Sequence, residues 1–437
     1  MRRRQIVHQL FHTAVLRVLS TGARAVTFVL VVRLLTPRDY GWYALITTTL
    51  YIATLVSSLN FPSYFIRALP GRQEATQYGI FRGLTGPVLI ANGLVAILCA
   101  TAGRYFLPGE HAHVAELAAL IYFFEIAGGQ VENFFLGCKK IQNANWIMGL
   151  RTLSMALFVG GLVFVGWQTL EAILGAMLAA EVLALLVGLS WLSWSALRVA
   201  KAPTGLWSEA LLYSLPLLGS GLAFMGMKFG DKYLVAHYLG LVAVARYSFA
   251  YAMVNLAYGL TVLVSNTVLV PHIMGAENED DVASRNRHIV RATKLAVYGL
   301  LAAAVAYAVI PSGFWALFSG HRDYLGVKGL ALALTVASLM SVLGNPAHFI
   351  LLAKKKTGIL ALIDVGGVCS IAGLNVLLLP SFGLYGATLS AAISFAATSA
   401  LKHLYVWQQK IFNPRDLLNW ADEKEALSRL AALGTLD

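Results

Sequence analysis

Long apolar segments separated by short connections dominate this chain and restrict what it can fold into. A membrane-spanning helix needs about 20 mostly apolar residues to cross about 30 Å of hydrocarbon. About twelve segments meet this requirement, at residues 7–36, 40–60, 79–103, 113–137, 142–167, 170–197, 208–238, 241–270, 292–312, 329–352, 357–380 and 383–409. Only 12% of the residues are charged, whereas a soluble domain carries about 25%. The sequence therefore predicts an all-α polytopic membrane protein and excludes a soluble enzyme.

The basic residues are unevenly distributed between the predicted loops. The formal net charge is +12, a balance that suggests nucleic acid in a soluble protein. If the N-terminus lies in the cytoplasm, the loops on the opposite side contain few Lys or Arg residues, namely Arg38, Arg104, Arg322 and Lys328. Cytoplasmic loops of membrane proteins carry an excess of Lys and Arg. We therefore expect both termini in the cytoplasm and no nucleic-acid partner.

The two halves of the chain resemble each other. A shift of 204 positions places Tyr247 on Tyr43 and Lys228 on Arg24. With six predicted spans each, the halves have the same orientation, which makes them parallel repeats. Transporters often have such repeats, with the substrate site at the interface between them.

Three regions are expected. They are an N-terminal six-helix lobe at residues 1–200, a C-terminal six-helix lobe at 201–410 and a cytoplasmic amphipathic tail at 411–437. The two lobes are predicted to surround a central cavity.

Several cations fall inside the predicted spans. A charge at mid-bilayer costs roughly 2.5–3.5 kcal/mol on insertion scales, so it usually faces a cavity or a partner. The cations in question are Arg17, Arg24, Arg151, Lys228 and Lys232. Arg24 and Lys228 occupy equivalent positions of the repeat, which favours a binding site for an anion, and phosphate suits both side chains.

Acidic residues lie at comparable depths, among them Glu125, Asp231 and Asp364. Each of them is either the partner of a cation in a structural ion pair or part of the functional site. The residue pattern leaves both interpretations open. No metal site and no cofactor are predicted.

Short motifs in this chain resemble those of one family. They are RLLTPRDYGWYA at 33–44, SLPLL at 214–218, GDK at 230–232, YLG at 238–240, ARY at 245–247 and GLYGAT at 383–388. These stretches are similar to the Wzx-type polysaccharide-biosynthesis flippases of the multidrug/oligosaccharidyl-lipid/polysaccharide (MOP) exporter superfamily, over nearly the whole chain.

The resemblance implies a transporter with two six-helix lobes in a V around a cavity that opens alternately to the two sides of the bacterial inner membrane. The implied substrate is an undecaprenyl-diphosphate-linked oligosaccharide repeat unit for O-antigen, capsule or exopolysaccharide biosynthesis. A polysaccharide polymerase, a chain-length regulator and membrane lipid are the expected partners.

On this hypothesis Arg24 and Lys228 hold the diphosphate, supported by Arg17, Arg151 and Lys232. The carboxylates of Asp231, Glu125 and Asp364 are candidates for charge balance or for coupling to protons or sodium ions.

Two alternatives stay open. A drug or cation antiporter of the same superfamily would need an acidic cavity, which the excess of central cations disfavours. A membrane enzyme of polysaccharide assembly usually has a sizeable outer loop with catalytic residues, and the predicted outer loops are short.

Overall fold

The computed structural model describes residues 2–106, 112–264, 282–311, 319–354 and 356–409. The described chain folds into α-helices and one short 3₁₀ helix at Arg322–Tyr324, with no β-strand in these ranges. The helices are α1 (Arg2–Leu34), α2 (Pro37–Ser57), α3 (Phe61–Ala68), α4 (Glu74–Phe106), α5 (Ala112–Gly137), α6 (Ile141–Val165), α7 (Leu170–Ser190), α8 (Trp194–Val199), α9 (Leu206–Phe229), α10 (Asp231–Leu239), α11 (Leu241–Val264), α12 (Val282–Val309), α13 (Val327–Leu343), α14 (Asn345–Ala353), α15 (Thr357–Phe382) and α16 (Leu384–Gln408). The predicted tail at 411–437 lies outside the described residues.

The all-helical membrane architecture predicted from the sequence is confirmed. Within the described ranges, ten helices are long and apolar enough to cross a membrane, or eleven if α2 and α3, which meet at 51°, count as one span. The sequence predicted about twelve. The difference arises because aromatic and threonine residues lower the mean hydropathy of α2, and because the predicted span 241–270 extends past the described part of α11. Every predicted span nevertheless overlaps a helix.

The connection between α1 and α2 shows how the 33–44 motif determines local structure. Thr36 is the N-cap of α2, and its hydroxyl accepts a hydrogen bond from the Asp39 backbone N–H at 3.2 Å. Pro37 occupies the first turn, where its missing N–H has no intrahelical partner to lose. The Thr36 hydroxyl also lies 2.7 Å from the Asp39 carboxylate. The motif therefore ends one span and starts the next within two residues.

The helices pack in two groups that follow chain order. In the first group α1 packs on α6, α4 on α5, and α7 on both α5 and α6. In the second group α15 packs on α9 and α16, and α13 packs on α11, α12 and α16. Helix α2 lies between the groups, because it also packs against α9 and α11. The predicted lobe boundary at residues 200 and 201 stays a prediction.

The segment that joins the two groups lies on α4. Arg82 of α4 donates hydrogen bonds to the backbone carbonyl oxygens of Arg198 at 2.9 Å and Ala200 at 3.4 Å. Gly79 allows the closest approach, since a Cβ atom at this position would lie 2.2 Å from the Lys201 carbonyl oxygen. The joining segment is therefore packed against α4 of the first group as far as Lys201.

We expect Gly79→Ala to lower the thermal midpoint of the purified protein, because the added methyl group overlaps a backbone carbonyl. Overpacking of this kind costs about 1–3 kcal/mol. Gly86→Ala in the same helix is the matched control, because a Cβ at Gly86 would meet nothing within 4 Å. Equal midpoints for the two variants would contradict the close packing of this segment on α4.

Candidate functional site

A cavity of about 370 Å³ lies between the two helix groups. Helices α1, α2, α6, α7, α10 and α11 and the end of α9 provide its walls. Its charged lining residues are Arg24, Arg151, Glu181 and Lys232. Its aromatic lining residues are Phe28, Tyr40, Tyr43, Phe229 and Tyr251. We call this space the central cavity; its charged and aromatic groups converge from both halves of the chain.

Arg151 is held by two carboxylates of the first helix group. Its Nε atom lies 2.9 Å from Oε2 of Glu181, and one Nη atom lies 3.6 Å from Oε2 of Glu132. The Glu181 side chain is only 5% exposed. The positive charge of Arg151 is therefore balanced inside the protein.

Arg24 differs from Arg151, although both line the central cavity. Its side chain is exposed to the cavity, and no carboxylate lies within 4 Å of it among the described residues. Glu132 acts on it only through a longer-range electrostatic interaction. The guanidinium group of Arg24 is therefore available to an anion in the cavity.

Lys232 reaches the same cavity from the second half of the chain. It is 8% exposed, and its Nζ atom donates a hydrogen bond of 3.1 Å to Oγ1 of Thr48. The ammonium group also lies 5.2 Å from the ring centre of Phe229 and 5.8 Å from that of Tyr251. Within the described chain it has no ion pair. Arg24 and Lys232 are thus the two cations of the central cavity that no carboxylate contacts directly.

Lys228 lies in a different place. It lines an adjoining cavity of about 20 Å³, and its ammonium group faces the rings of Tyr258 at 4.6 Å and Phe224 at 4.9 Å. Tyr251 and Asn255 line both cavities and therefore form the partition between them. The repeat-equivalent cations Arg24 and Lys228 thus do not share one cavity; the role predicted for them stays a prediction.

Asp231 lies in the smaller cavity with Lys228. It is 3% exposed, and the Tyr247 hydroxyl donates a hydrogen bond to its Oδ2 atom. The carboxylate is therefore buried and bonded to α11.

The remaining predicted residues lie outside the central cavity. Arg17, on the same helix as Arg24, is half-buried and interacts electrostatically with Glu132. Glu125 lines a third cavity of about 230 Å³, which Thr54 also lines.

Asp364 is buried in the second helix group and pairs with Lys402, the two charged groups being 2.7 Å apart. This pair joins α15 to α16, as Arg151 and Glu181 join α6 to α7. The polarity is reversed, because the cation belongs to the later helix in the second half. Both pairs link the last two long helices of their helix group and balance a charge there.

Three contributors to these sites were not among the predicted site residues. Glu181, Lys402 and Thr48 all lie in apolar segments, and the first two are visible as isolated charges in the sequence. Their partners lie on other helices, so the sequence gives no spacing that would reveal the pairing. No group of three or more His, Cys, Asp or Glu side chains that could hold a metal ion occurs in the part of the chain described.

Several solved structures have a similar fold. One is an inward-facing multidrug resistance MATE family transporter of the MOP superfamily, with a TM-score of 0.74, 14% identity and coverage of 90% of this chain and 94% of that one. Another is the lipid II flippase MurJ in an inward closed conformation, with a TM-score of 0.69, 14% identity and coverage of 94% and 89%. A third is a MOP superfamily transporter from Pyrococcus furiosus, with a TM-score of 0.57, 13% identity and coverage of 94% and 95%. No curated protein sequence matches the chain.

The fold and the cavity between two helix groups define a multi-pass membrane protein with the fold of MOP superfamily transporters. A family model described as "Polysaccharide biosynthesis protein" matches residues 6–276. The chain belongs to this polysaccharide biosynthesis family, and the resemblance noted from the sequence motifs is confirmed.

Proposed function

We propose that this protein is a flippase that moves undecaprenyl-diphosphate-linked oligosaccharide repeat units across the bacterial inner membrane for surface polysaccharide biosynthesis. The observation that carries the proposal is the central cavity. Arg24 lines this cavity from the first half of the chain and Lys232 from the second half, and neither forms a direct ion pair with a described residue. The family and the transporter fold support the same assignment.

The two cations suit a diphosphate. Arg24 offers a planar fork of donors and Lys232 a compact point charge, and both bind phosphate oxygens through charge-assisted hydrogen bonds. Two positive charges match the two negative charges of a diphosphate that links a lipid to a sugar. Lys228 supports this site electrostatically from behind the Tyr251 and Asn255 partition, whereas Glu181 and Glu132 balance the charge of Arg151.

The aromatic residues suit the sugar part of the headgroup. Rings such as those of Tyr43, Phe229 and Tyr251 offer flat apolar surfaces against which the C–H faces of sugar rings can pack. A cavity of this size falls in the range of small-ligand sites. We infer that it encloses the diphosphate and the sugars next to it, while the hydrocarbon chain stays outside the charged space.

Transport by alternating access is proposed, with both termini in the cytoplasm. The likeness to the inward-facing MATE structure has a TM-score of 0.74, against 0.54 for an outward-facing MATE structure. We infer that the conformation described here opens toward the cytoplasm. In this orientation the end of the bundle that carries Thr36 faces outward.

A carboxylate would couple transport to protons or sodium ions. Asp364 already pairs with Lys402, and Glu125 lines a different cavity. Asp231 lies beside the partition of the central cavity. We therefore rank Asp231 first among the three predicted candidates.

The test is a flipping assay with purified protein in vesicles. The probe is a fluorescent monosaccharide linked through diphosphate to undecaprenol, placed in one leaflet, and accessibility to a membrane-impermeant quencher is measured with time. We expect fast translocation of this probe and no protein-dependent transport of ethidium. Ethidium extrusion without translocation of the lipid would instead support the cation antiporter, and no translocation of either would contradict the proposal.

A further inference from the structure

Two consecutive residues of α2 bond to two consecutive residues of α10. Lys232 Nζ donates to Thr48 Oγ1 at 3.1 Å, and the hydroxyl groups of Thr49 and Tyr233 lie 2.7 Å apart in a second hydrogen bond. We call these paired contacts the α2–α10 seam. They join the first helix group to the second.

The seam separates two spaces of opposite chemistry. On one side lies the central cavity, which Lys232 and Thr47 line. On the other side lies a cavity of about 350 Å³, which we call the apolar pocket. Besides Thr49 and Tyr233, its lining consists of apolar residues of α2, α5 and α7, among them Leu45, Ile46 and Ala118.

Helix α2 forms the shared wall of the two spaces. Tyr43, Ala44 and Thr47 line the central cavity, while Leu45 and Ile46 line the apolar pocket. An α-helix with its side chains is about 10–12 Å across. One amphiphilic molecule can therefore reach both spaces, provided that the seam opens.

The apolar pocket is suited to hydrocarbon. The hydroxyl groups of Thr49 and Tyr233 bond to each other in the closed seam, and none of the described residues that line the pocket is charged. Thr49 and Tyr233 are both exposed, so the second seam contact is accessible. Hydrophobic burial is the main favourable contribution that such a surface offers to a ligand.

We propose that the apolar pocket binds the hydrocarbon chain of the transported lipid and that this lipid leaves the central cavity sideways through the α2–α10 seam. This inference rests on the proposed function, since it requires a substrate with an anionic headgroup and a long chain. The cationic cavity complements the headgroup, the uncharged pocket complements the chain, and the two adjoin across one helix.

Lys232 connects headgroup binding to the seam. A phosphate oxygen forms a charge-assisted hydrogen bond with an ammonium group, which is stronger than the bond to the neutral Thr48 hydroxyl. A bound headgroup therefore draws Lys232 away from α2 and leaves the Thr49–Tyr233 bond as the remaining seam contact. The seam is expected to open more readily in the loaded protein than in the empty one.

The first test fills the pocket without touching the seam. Ala118→Trp places an indole in the pocket from α5, and Leu120→Trp is the matched control on the same helix, where Leu120 is 45% exposed and does not line the pocket. The probes are a diphosphate-linked monosaccharide on an undecaprenyl chain and the same headgroup on a ten-carbon geranyl chain.

We expect the unmodified protein and Leu120→Trp to bind the long-chain probe at least tenfold more tightly than the short-chain probe. Ala118→Trp is expected to lose this preference while keeping its affinity for the short-chain probe. Retention of the full preference by Ala118→Trp would overturn the chain site. If the unmodified protein binds neither probe, the proposed function itself fails. An equal loss of bulk phosphatidylglycerol binding in Ala118→Trp would identify the occupant as ordinary membrane lipid and overturn the inference.

The second test locks the seam. Cysteines replace Thr49 and Tyr233 in a protein whose native cysteines (Cys99, Cys138 and Cys369) are changed to alanine, and a short reducible bis-thiosulfonate reagent bridges them. The bridged protein is expected to bind the short-chain probe and to lose at least 90% of its flipping rate, which reduction restores. Flipping by the bridged protein at the rate of the reduced protein would show that the substrate does not leave through the seam.

Discussion

Replacing Arg24 and Lys232 by alanine is expected to abolish translocation of the diphosphate-linked lipid, and each single replacement is expected to slow it about tenfold to hundredfold. Hydrogen bonds to charged groups contribute about 1.5–3 kcal/mol each, and every 1.4 kcal/mol corresponds to a factor of ten. Arg24→Lys should retain part of the rate, because the charge remains while the two-pronged contact is lost. The measurement is the flipping rate in vesicles at equal protein content.

The control for this prediction is Arg33→Ala on the same helix. Arg33 is exposed and does not line the central cavity, so its replacement should leave the rate unchanged. Lys228→Ala is expected to have a smaller effect than Lys232→Ala, since Lys228 lies behind the partition. Thermal midpoints close to that of the unmodified protein must accompany any loss of rate. A double variant with a normal rate would contradict the assignment of the site.

Replacing Glu181 by alanine is expected to produce the largest loss of stability among single changes in the site. The replacement leaves Arg151, whose side chain is half-buried, with only Glu132, at 3.6 Å, as a direct partner. Removing one partner of a buried ion pair costs about 3–5 kcal/mol. We expect a loss near the lower end of that range, because Glu132 compensates in part. The free energy of unfolding is measured in detergent mixtures, with circular dichroism as the probe.

A double-mutant cycle identifies the cause of this loss. Arg151→Met combined with Glu181→Leu removes both charges and keeps much of the volume, so it should be more stable than either single variant. Additive losses in the double variant would show that the two residues stabilise the protein independently. Ser154→Ala, one turn after Arg151 in the same helix, serves as a control without a charge change.

The sequence was sufficient to predict the class of fold. Apolar segments of membrane length determine where the helices lie, and the Thr36-Pro37-Arg38-Asp39 run marks the end of one span and the start of the next. These features depend on neighbouring residues within one helix or turn. Local rules therefore predicted them, apart from the bend between α2 and α3.

The arrangement of the site could be predicted only in part. Arg24, Arg151 and Lys232 were recognised as intramembrane cations, and all three line the central cavity. Lys228 and Lys232 are one helical turn apart in sequence, yet their ammonium groups line different cavities. Tyr251 and Asn255, which separate the two cavities, belong to another helix, so the separation depends on helix packing that the spacing of the two lysines does not reveal.

The pairing of charged side chains between helices could not be predicted from the sequence either. Asp364 was recognised as an intramembrane acid, but its partner Lys402 lies on the following helix. Likewise, Glu181, the partner of Arg151, lies on the helix that follows the helix of Arg151. The distance between two such groups depends on how the helices rotate and pack, which a single sequence does not specify. Arg151 and Asp364 thus each form an ion pair, whereas Arg24 and Lys232 form none with the described residues.

In the proposed function, Arg24 and Lys232 bind an anionic lipid headgroup in the central cavity. The most direct measurement compares the affinities of undecaprenyl diphosphate and uncharged undecaprenol for the protein in nanodiscs, with and without both cations. We predict that the unmodified protein prefers the diphosphate by at least a hundredfold and that Arg24→Ala/Lys232→Ala binds the two lipids equally. Equal binding of the two lipids by the unmodified protein, or an unchanged preference in the double variant, would contradict the claim.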